Sequence, residues 1–182
     1  MIIKKMLLVL LIIFISISVK AQESKVTIFH RMLILNKENK LLVVKIKNKD
    51  IWVTPGLYQN SKQTIKQGVD SIASTYGIKV FDVSLRGMYG LTTLSKNYYS
   101  TRNIFVMKTD SIDVLLPEII GEALWLDVNE AIKRISFPHI NDFIKDVFMF
   151  PNDIRFGTIE RVESNGKFIS KKSEEFYSSK KD

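Results

Sequence analysis

The sequence predicts an α+β fold in a single domain, and three observations carry that expectation. Short β-rich segments alternate with polar turns, and one central segment switches to a helical period. The 182 residues are 46% hydrophobic and 25% charged with only 8 Gly and 4 Pro, the balance of a globular chain with one sizeable core. Collagen-like, low-complexity and wholly disordered classes are excluded. With no cysteine and two histidines, so are disulfide scaffolds, thiolate zinc sites, iron–sulfur clusters, cysteine nucleophiles and sites built from several imidazoles.

The chain opens with Lys4 and Lys5, then an uncharged 14-residue run from Met6 to Val19, then the small-residue exit Val19-Lys20-Ala21. At 1.5 Å per residue the run is about 21 Å long, short of the roughly 30 Å of a bilayer core. Residues 1–21 therefore read as a secretory signal peptide cleaved after Ala21, directing the protein to the periplasm, cell surface or medium. No second apolar run of spanning length follows, so no stable membrane span is expected after cleavage. Without Lys4, Lys5 and Lys20 the formal charge falls from +8 to +5. The small basic clusters Lys45–Lys49 and Lys171-Lys172 lack interleaved aromatics, and no nucleic-acid partner is expected.

Val26–Leu35 and Leu41–Ile46 read as a strand pair across the turn Asn36–Lys40, with Ile51–Val53 a short strand ending at Thr54-Pro55-Gly56. From Ser61, the expected N-cap, the period changes. Ile65, Val69, Ile72 and Tyr76 form one helical stripe that should face the core, and Gly77 ends it. Lys79–Arg86 and Arg102–Lys108 read as strands, with the Gly- and Tyr-containing stretch Gly87 to Ser100 between them, and Glu122–Leu126 as another strand. Val128–Ile135 and Ile140–Phe148 read as helices around Phe137-Pro138. Trp125, Phe137 and Phe148 are expected in the core. Thr158–Val162 and Lys167–Ser170 flank the hairpin turn Ser164-Asn165-Gly166. The stretch from Ser173 is charged and expected to fray. The organisation is thus a main domain over 22–150 and a C-terminal hairpin with a charged tail over 151–182.

The stretch Trp52-Val-Thr-Pro55-Gly56, followed by a helix ending at Gly77-Ile78, resembles the box of the Nudix hydrolase superfamily. Its spacing is kept: Gly56 and Gly77 stand 21 positions apart, with Ile72 and Ile78 at the aliphatic positions. Glu122-x-x-Trp125 before a helix is similar to the family's late strand and helix. The resemblance implies a Nudix-like α/β/α sandwich with a mixed β-sheet, and a Mg²⁺-dependent hydrolase of nucleoside diphosphate-linked compounds.

The residue chemistry departs from that pattern. Lys62 holds the first Glu position, Asp70 the Arg position, and Ser71, Ser74 and Thr75 the remaining acidic positions. The last three share one helix face, where neutral hydroxyls do not offset the reluctant dehydration of Mg²⁺. No catalytic residue, metal ligand or cofactor is assigned. Candidate ligand-binding residues are Trp52 and Tyr58, which either stack on a ligand or pack on the sheet, Gly56 in the loop, and Lys62 and Lys66, which either meet a phosphate or form a solvated face. His139 reads as structural, with no carboxylate or nucleophile identifiable beside it. Two functions follow. One is a non-catalytic module binding a phosphate-containing small molecule or a protein. The other is a divergent hydrolase whose Mg²⁺ ligands have moved to Glu118 and Glu122.

Overall fold

The computed structural model describes residues 25–164 and 167–180. The expected signal peptide at 1–21 and the hairpin tip Asn165-Gly166 lie outside the described residues. Among the described residues no helix is long and apolar enough to cross a membrane.

The chain runs β1 (Lys25–Leu35), β2 (Leu41–Ile46), β3 (Trp52–Val53), β4 (Gly56–Tyr58), α1 (Ile65–Thr75), β5 (Val80–Thr93), a single 3₁₀ turn (Leu94–Lys96), β6 (Tyr98–Thr109), β7 (Ile120–Leu126), α2 (Val128–Arg134), α3 (Pro138–Met149), β8 (Arg155–Ser164) and β9 (Lys167–Ser178). All the strands belong to one mixed sheet of order β3-β2-β1-β6-β5-β8-β9, with β4 added to β1 and β7 to β2. The β1–β6 and β5–β8 pairs are parallel and the others antiparallel.

Period-two alternation splits each central strand between two apolar layers. Met32 and Ile34 of β1, Leu42 and Val44 of β2, and Met107 of β6 meet Val69 and Ala73 of α1 and its C-cap Tyr76 on one face. Leu33 and Leu35, Leu41 and Val43, and Ile104 meet Ile140, Phe143, Ile144 and Val147 of α3 on the other. This is the expected sandwich. Phe137 and Phe148 pack half-buried against the α3 layer. Trp125 packs against the α1 layer and donates its indole N–H to the Ile112 carbonyl at 2.8 Å.

Three expectations need correction. The helix does not start at Ser61, which lies in a turn, but is capped by Thr64. Thr64 Oγ1 accepts from the Gln67 N–H while Gln67 Oε1 accepts from the Thr64 N–H, a reciprocal box for which Ser61 has no Gln or Glu at the matching position. Ile65, in the first turn beyond that cap, is accordingly 50% exposed, whereas Val69 and Tyr76 are buried and Ile72 half-buried. The helix does end at Gly77, whose φ of +68° closes the last turn.

The stretch Gly87–Ser100, to which the sequence reading gives no element, completes β5, makes one 3₁₀ turn and opens β6, paired from Gly87↔Ile104 to Thr93↔Tyr98. Tyr89 and Leu91, both buried, supply the inward side of that alternation. The segment from Ser173 does not fray, since β9 runs to Ser178 against β8. Phe176 anchors it, 5.0 Å from Tyr89 and 6.2 Å from Phe143 between ring centroids.

Candidate functional site

Helix α1 presents its hydroxyl face to solvent, and each hydroxyl already has an acceptor within the helix. Ser71 Oγ donates to the Gly68 carbonyl at 2.8 Å, Ser74 Oγ to Asp70 at 3.0 Å, and Thr75 Oγ1 to Ile72 at 2.7 Å. Asp70, the one acid of the helix, is paired one turn back with Lys66 Nζ at 2.5 Å.

The loop into this helix starts at Gly56, opposite Arg31 on β1. A Cβ there would lie 2.6 Å from the His30 carbonyl oxygen and from the Phe29 ring, so the strand admits no side chain. Behind the loop a buried relay holds Gln59 in place. Gln59 Nε2 donates to the Asn60 and Gln63 carbonyls, leaving its Oε1 to accept from His30 Nε2 at 2.7 Å. His30 Nδ1 then accepts from Asn103 Nδ2 at 3.3 Å.

The sequence-predicted ligand residues do not converge. Tyr58 is 53% exposed and leans edge-on against Phe29, 4.9 Å between centroids. It helps wall a cavity of about 650 Å³ with Val26, Thr27, Ile28, Tyr98 and the loop Gln59–Ser61. Lys62 is exposed on that loop, and its backbone N–H closes a turn on Asn60 Oδ1. Lys66 is committed to Asp70. Trp52 is elsewhere, buried in the α3 layer with Arg134 and Lys45 over its ring at 5.2 and 5.7 Å. Glu122 faces Lys45 across the β2–β7 pair, in a groove shared with Lys47, Lys49 and Asp50. Glu118 is exposed in the loop before β7.

Sequence reasoning missed a cluster of buried cations on the α3 face of the sheet. Arg31 of β1 and Arg102 of β6 are 5% and 7% exposed. Their guanidinium carbons lie 5.1 and 4.8 Å from the centroid of the Phe29 ring. Arg31 donates to Thr54 Oγ1 at 2.9 Å and to its carbonyl at 3.2 Å, and Arg102 to Tyr98 Oη at 3.3 Å. Among the described residues neither arginine, nor Arg161, is ion-paired with a carboxylate. Burial, then the Arg102 charge, pushes the Arg31 guanidinium down to about 9. The His139 imidazole feels the same field: burial first, then Arg31, Arg102 and Arg161, push it down to about 2. The signal was present in the strand period. Arg31 shares parity with Leu33 and Leu35, and Arg102 with Ile104 and Val106, so both charges sit at core-facing positions.

No family model matches the chain, and no curated protein matches it in sequence. Solved structures do. The mutator MutT protein of Bacillus halodurans superposes with a TM-score of 0.63 over 81% of this chain and 97% of its own, at 15% identity. The MutT protein of Methanosarcina mazei Go1 gives 0.55 over 72% and 99%, at 19% identity. The NUDIX hydrolase of Nitrosomonas europaea gives 0.57 over 70% and 90%, at 17% identity. The chain has the Nudix fold.

Within this Nudix fold the Mg²⁺ implied by the sequence resemblance finds no matching donor set. The hydroxyls of α1 point their hydrogens at helix carbonyls, and the one carboxylate beside them is held by a lysine. Mg²⁺ favours anionic oxygens in near-octahedral array. Among the described residues no group of three His, Asp or Glu side chains converges on a point where a metal ion could be held.

Proposed function

We propose that the chain is an exported Nudix-fold binding module for a phosphate-containing small molecule, without metal-dependent hydrolysis of diphosphate linkages. The observation that carries this reading is the hydroxyl face of α1, where Ser71, Ser74 and Thr75 bond to Gly68, Asp70 and Ile72. Hydrolysis of a diphosphate by metal catalysis needs cations that bridge phosphate oxygens and orient the attacking water. Those cations need several carboxylates on a rigid element, and the rigid element here carries neutral donors. Export is supported by the basic start, the apolar run and the Ala21 exit of the sequence.

The test is calorimetric titration with Mg²⁺ and Mn²⁺, followed by an assay over nucleoside diphosphate-linked and dinucleotide substrates. No saturable metal binding and no turnover are expected. Saturable binding with turnover that falls in Glu118→Gln or Glu122→Gln would establish the relocated-ligand hydrolase instead.

A further inference from the structure

Two buried guanidinium groups stand on adjacent strands with no ion-paired carboxylate among the described residues, which is an expensive arrangement. Removing an ion from water costs several kcal/mol even after relaxation. The compensation visible here is two hydrogen bonds from Arg31 to Thr54, one from Arg102 to Tyr98, the Phe29 ring near both heads and the Tyr58 ring near Arg102. Cation–π contacts return roughly 0.5–2 kcal/mol each, which leaves a deficit. Arg102 Nε is fully buried and has no hydrogen-bond partner among the described residues. A purely structural arginine in this position would be expected to meet an Asp or Glu, as Arg155 meets Asp146 elsewhere in this molecule.

The deficit lies next to the cavity. Tyr58 and Tyr98 wall it on one side and touch Arg102 on the other. Arg102 Nη2 donates to Tyr98 Oη, its Cζ lies 5.7 Å from the Tyr58 centroid, and the two phenol oxygens are 3.4 Å apart. Tyr98 Oη is also 2.9 Å from Thr27 Oγ1 at the cavity wall. Val26 and Ile28, 65% and 41% exposed, line the same space with apolar surface.

We propose that Arg31 and Arg102, with the Tyr58 and Tyr98 hydroxyls in front of them, form the anion-binding end of this cavity, and that its ligand is a phosphate monoester with an apolar or aromatic body. Two cations suit a dianion, and the planar guanidinium fork fits phosphate oxygens. The phenol hydroxyls rotate to donate to the same anion, while Val26 and Ile28 take the body of the ligand. This deepens the binding-module reading by relocating its anion site from Lys62 and Lys66 to the sheet.

The experiment is calorimetry with phenyl phosphate, inorganic phosphate, benzoate and phenol, in a chelator-containing buffer. Divalent metals are thereby excluded, so metal-dependent turnover found in the separate assay leaves this result untouched. Phenyl phosphate is expected to bind, inorganic phosphate more weakly, and phenol not at all. Loss of one charge-assisted contact in Arg102→Met or Arg31→Met should weaken binding roughly tenfold or more. Tyr98→Phe, which keeps both charges, should cost about twofold to tenfold by loss of one hydrogen bond. Lys62→Met and Lys66→Met should change affinity by less than about twofold, as exposed charges do. Removing an unpaired buried charge should also leave the melting temperature of Arg102→Met unchanged or raised.

Equal binding by wild type and Arg102→Met would overturn the assignment. So would a loss confined to the lysine variants, benzoate binding as tightly as phenyl phosphate, or no binding of phenyl phosphate at millimolar concentration. If Arg31→Met fails to fold, Arg102→Met and Tyr98→Phe still decide.

Discussion

Replacing Asp146 by Asn isolates what holds α3 to the far side of the sheet. Asp146 sits on α3 and is 8% exposed; Arg155, opening β8, is 6% exposed. They form a fork, Nε to Oδ2 and Nη2 to Oδ1, both at 3.1 Å, while Tyr89 of β5 donates to Oδ2 at 2.6 Å. Burial and the Asp146 carboxylate hold the Tyr89 phenol far above its usual pKa, so it remains a donor at any working pH. Asn keeps the shape and removes the charge, which leaves Arg155 in the interior against the Phe150 ring at 4.0 Å, with the Asp153 carboxylate acting on it without an ion pair. Breaking a buried pair this way costs about 3–5 kcal/mol. For a chain of this length each kcal/mol moves the melting temperature by about 2–4 °C, so a fall of roughly 6–20 °C is expected. Tyr89→Phe leaves the fork intact and should cost about 1–3 kcal/mol. The double variant Asp146→Leu/Arg155→Met strands no charge and should be milder than Asp146→Asn alone. Circular dichroism melts and urea titrations read all three. A melting temperature for Asp146→Asn within about 2 °C of wild type, or a double variant worse than the single one, refutes the reasoning.

Stability should decline as pH falls below the ordinary histidine range. His139 is pushed down to about 2 in the fold, so below about 6.5 the unfolded chain takes up a proton that the folded chain refuses. The slope is at most about 1.4 kcal/mol per pH unit. His139→Phe, which does not titrate, should flatten the urea-unfolding free energy between pH 6 and pH 4 (about the window the two pKa values bracket); an unchanged slope would contradict the assignment. Gly56→Ala places a Cβ 2.6 Å from the His30 carbonyl and the Phe29 ring. It should therefore lower stability by about 1–3 kcal/mol, the usual cost of overpacking, and a urea midpoint equal to that of wild type would show that β4 moves aside freely.

The parts of the fold legible in the sequence are those where hydrophobic period and punctuation agree. The α1 stripe through Val69 and Tyr76, closed by Gly77, is one such part, and β1 and β2 with their polar turn are another. The start of α1 was not legible from residue type alone, because Ser61 and Thr64 are equivalent caps until Gln67 is counted as the reciprocal partner. The full length of the β5–β6 hairpin is not legible because Gly87, Gly90 and a polar tip interrupt the apolar rhythm, and its flanking parallel partners β8 and β1 lie far away in sequence. At the site, Gly56 and Tyr58 were found through spacing. Arg31 and Arg102 are not legible from residue type, since a charge by itself points to solvent, although their parity with Leu33 and Ile104 places them inside.

The unbroken parallel ladder between β1 and β6 also governs how the molecule is made. Eleven consecutive residues, from Lys25↔Tyr98 to Leu35↔Lys108, wait for partners 73 positions further along the chain. No hairpin can nucleate that pairing, and the entropy of closing so long a loop must be met before any contact rewards it. The parallel β5–β8 pair repeats the problem, joining Gly87 to Arg155. During synthesis, the N-terminal third therefore has only the small β1–β4 part of its native sheet until β6 emerges. Its apolar strands β1 and β2 stay open to capture by other chains throughout that interval. Folding of this protein is a late, collective event, timed by the arrival of the strand that carries Arg102.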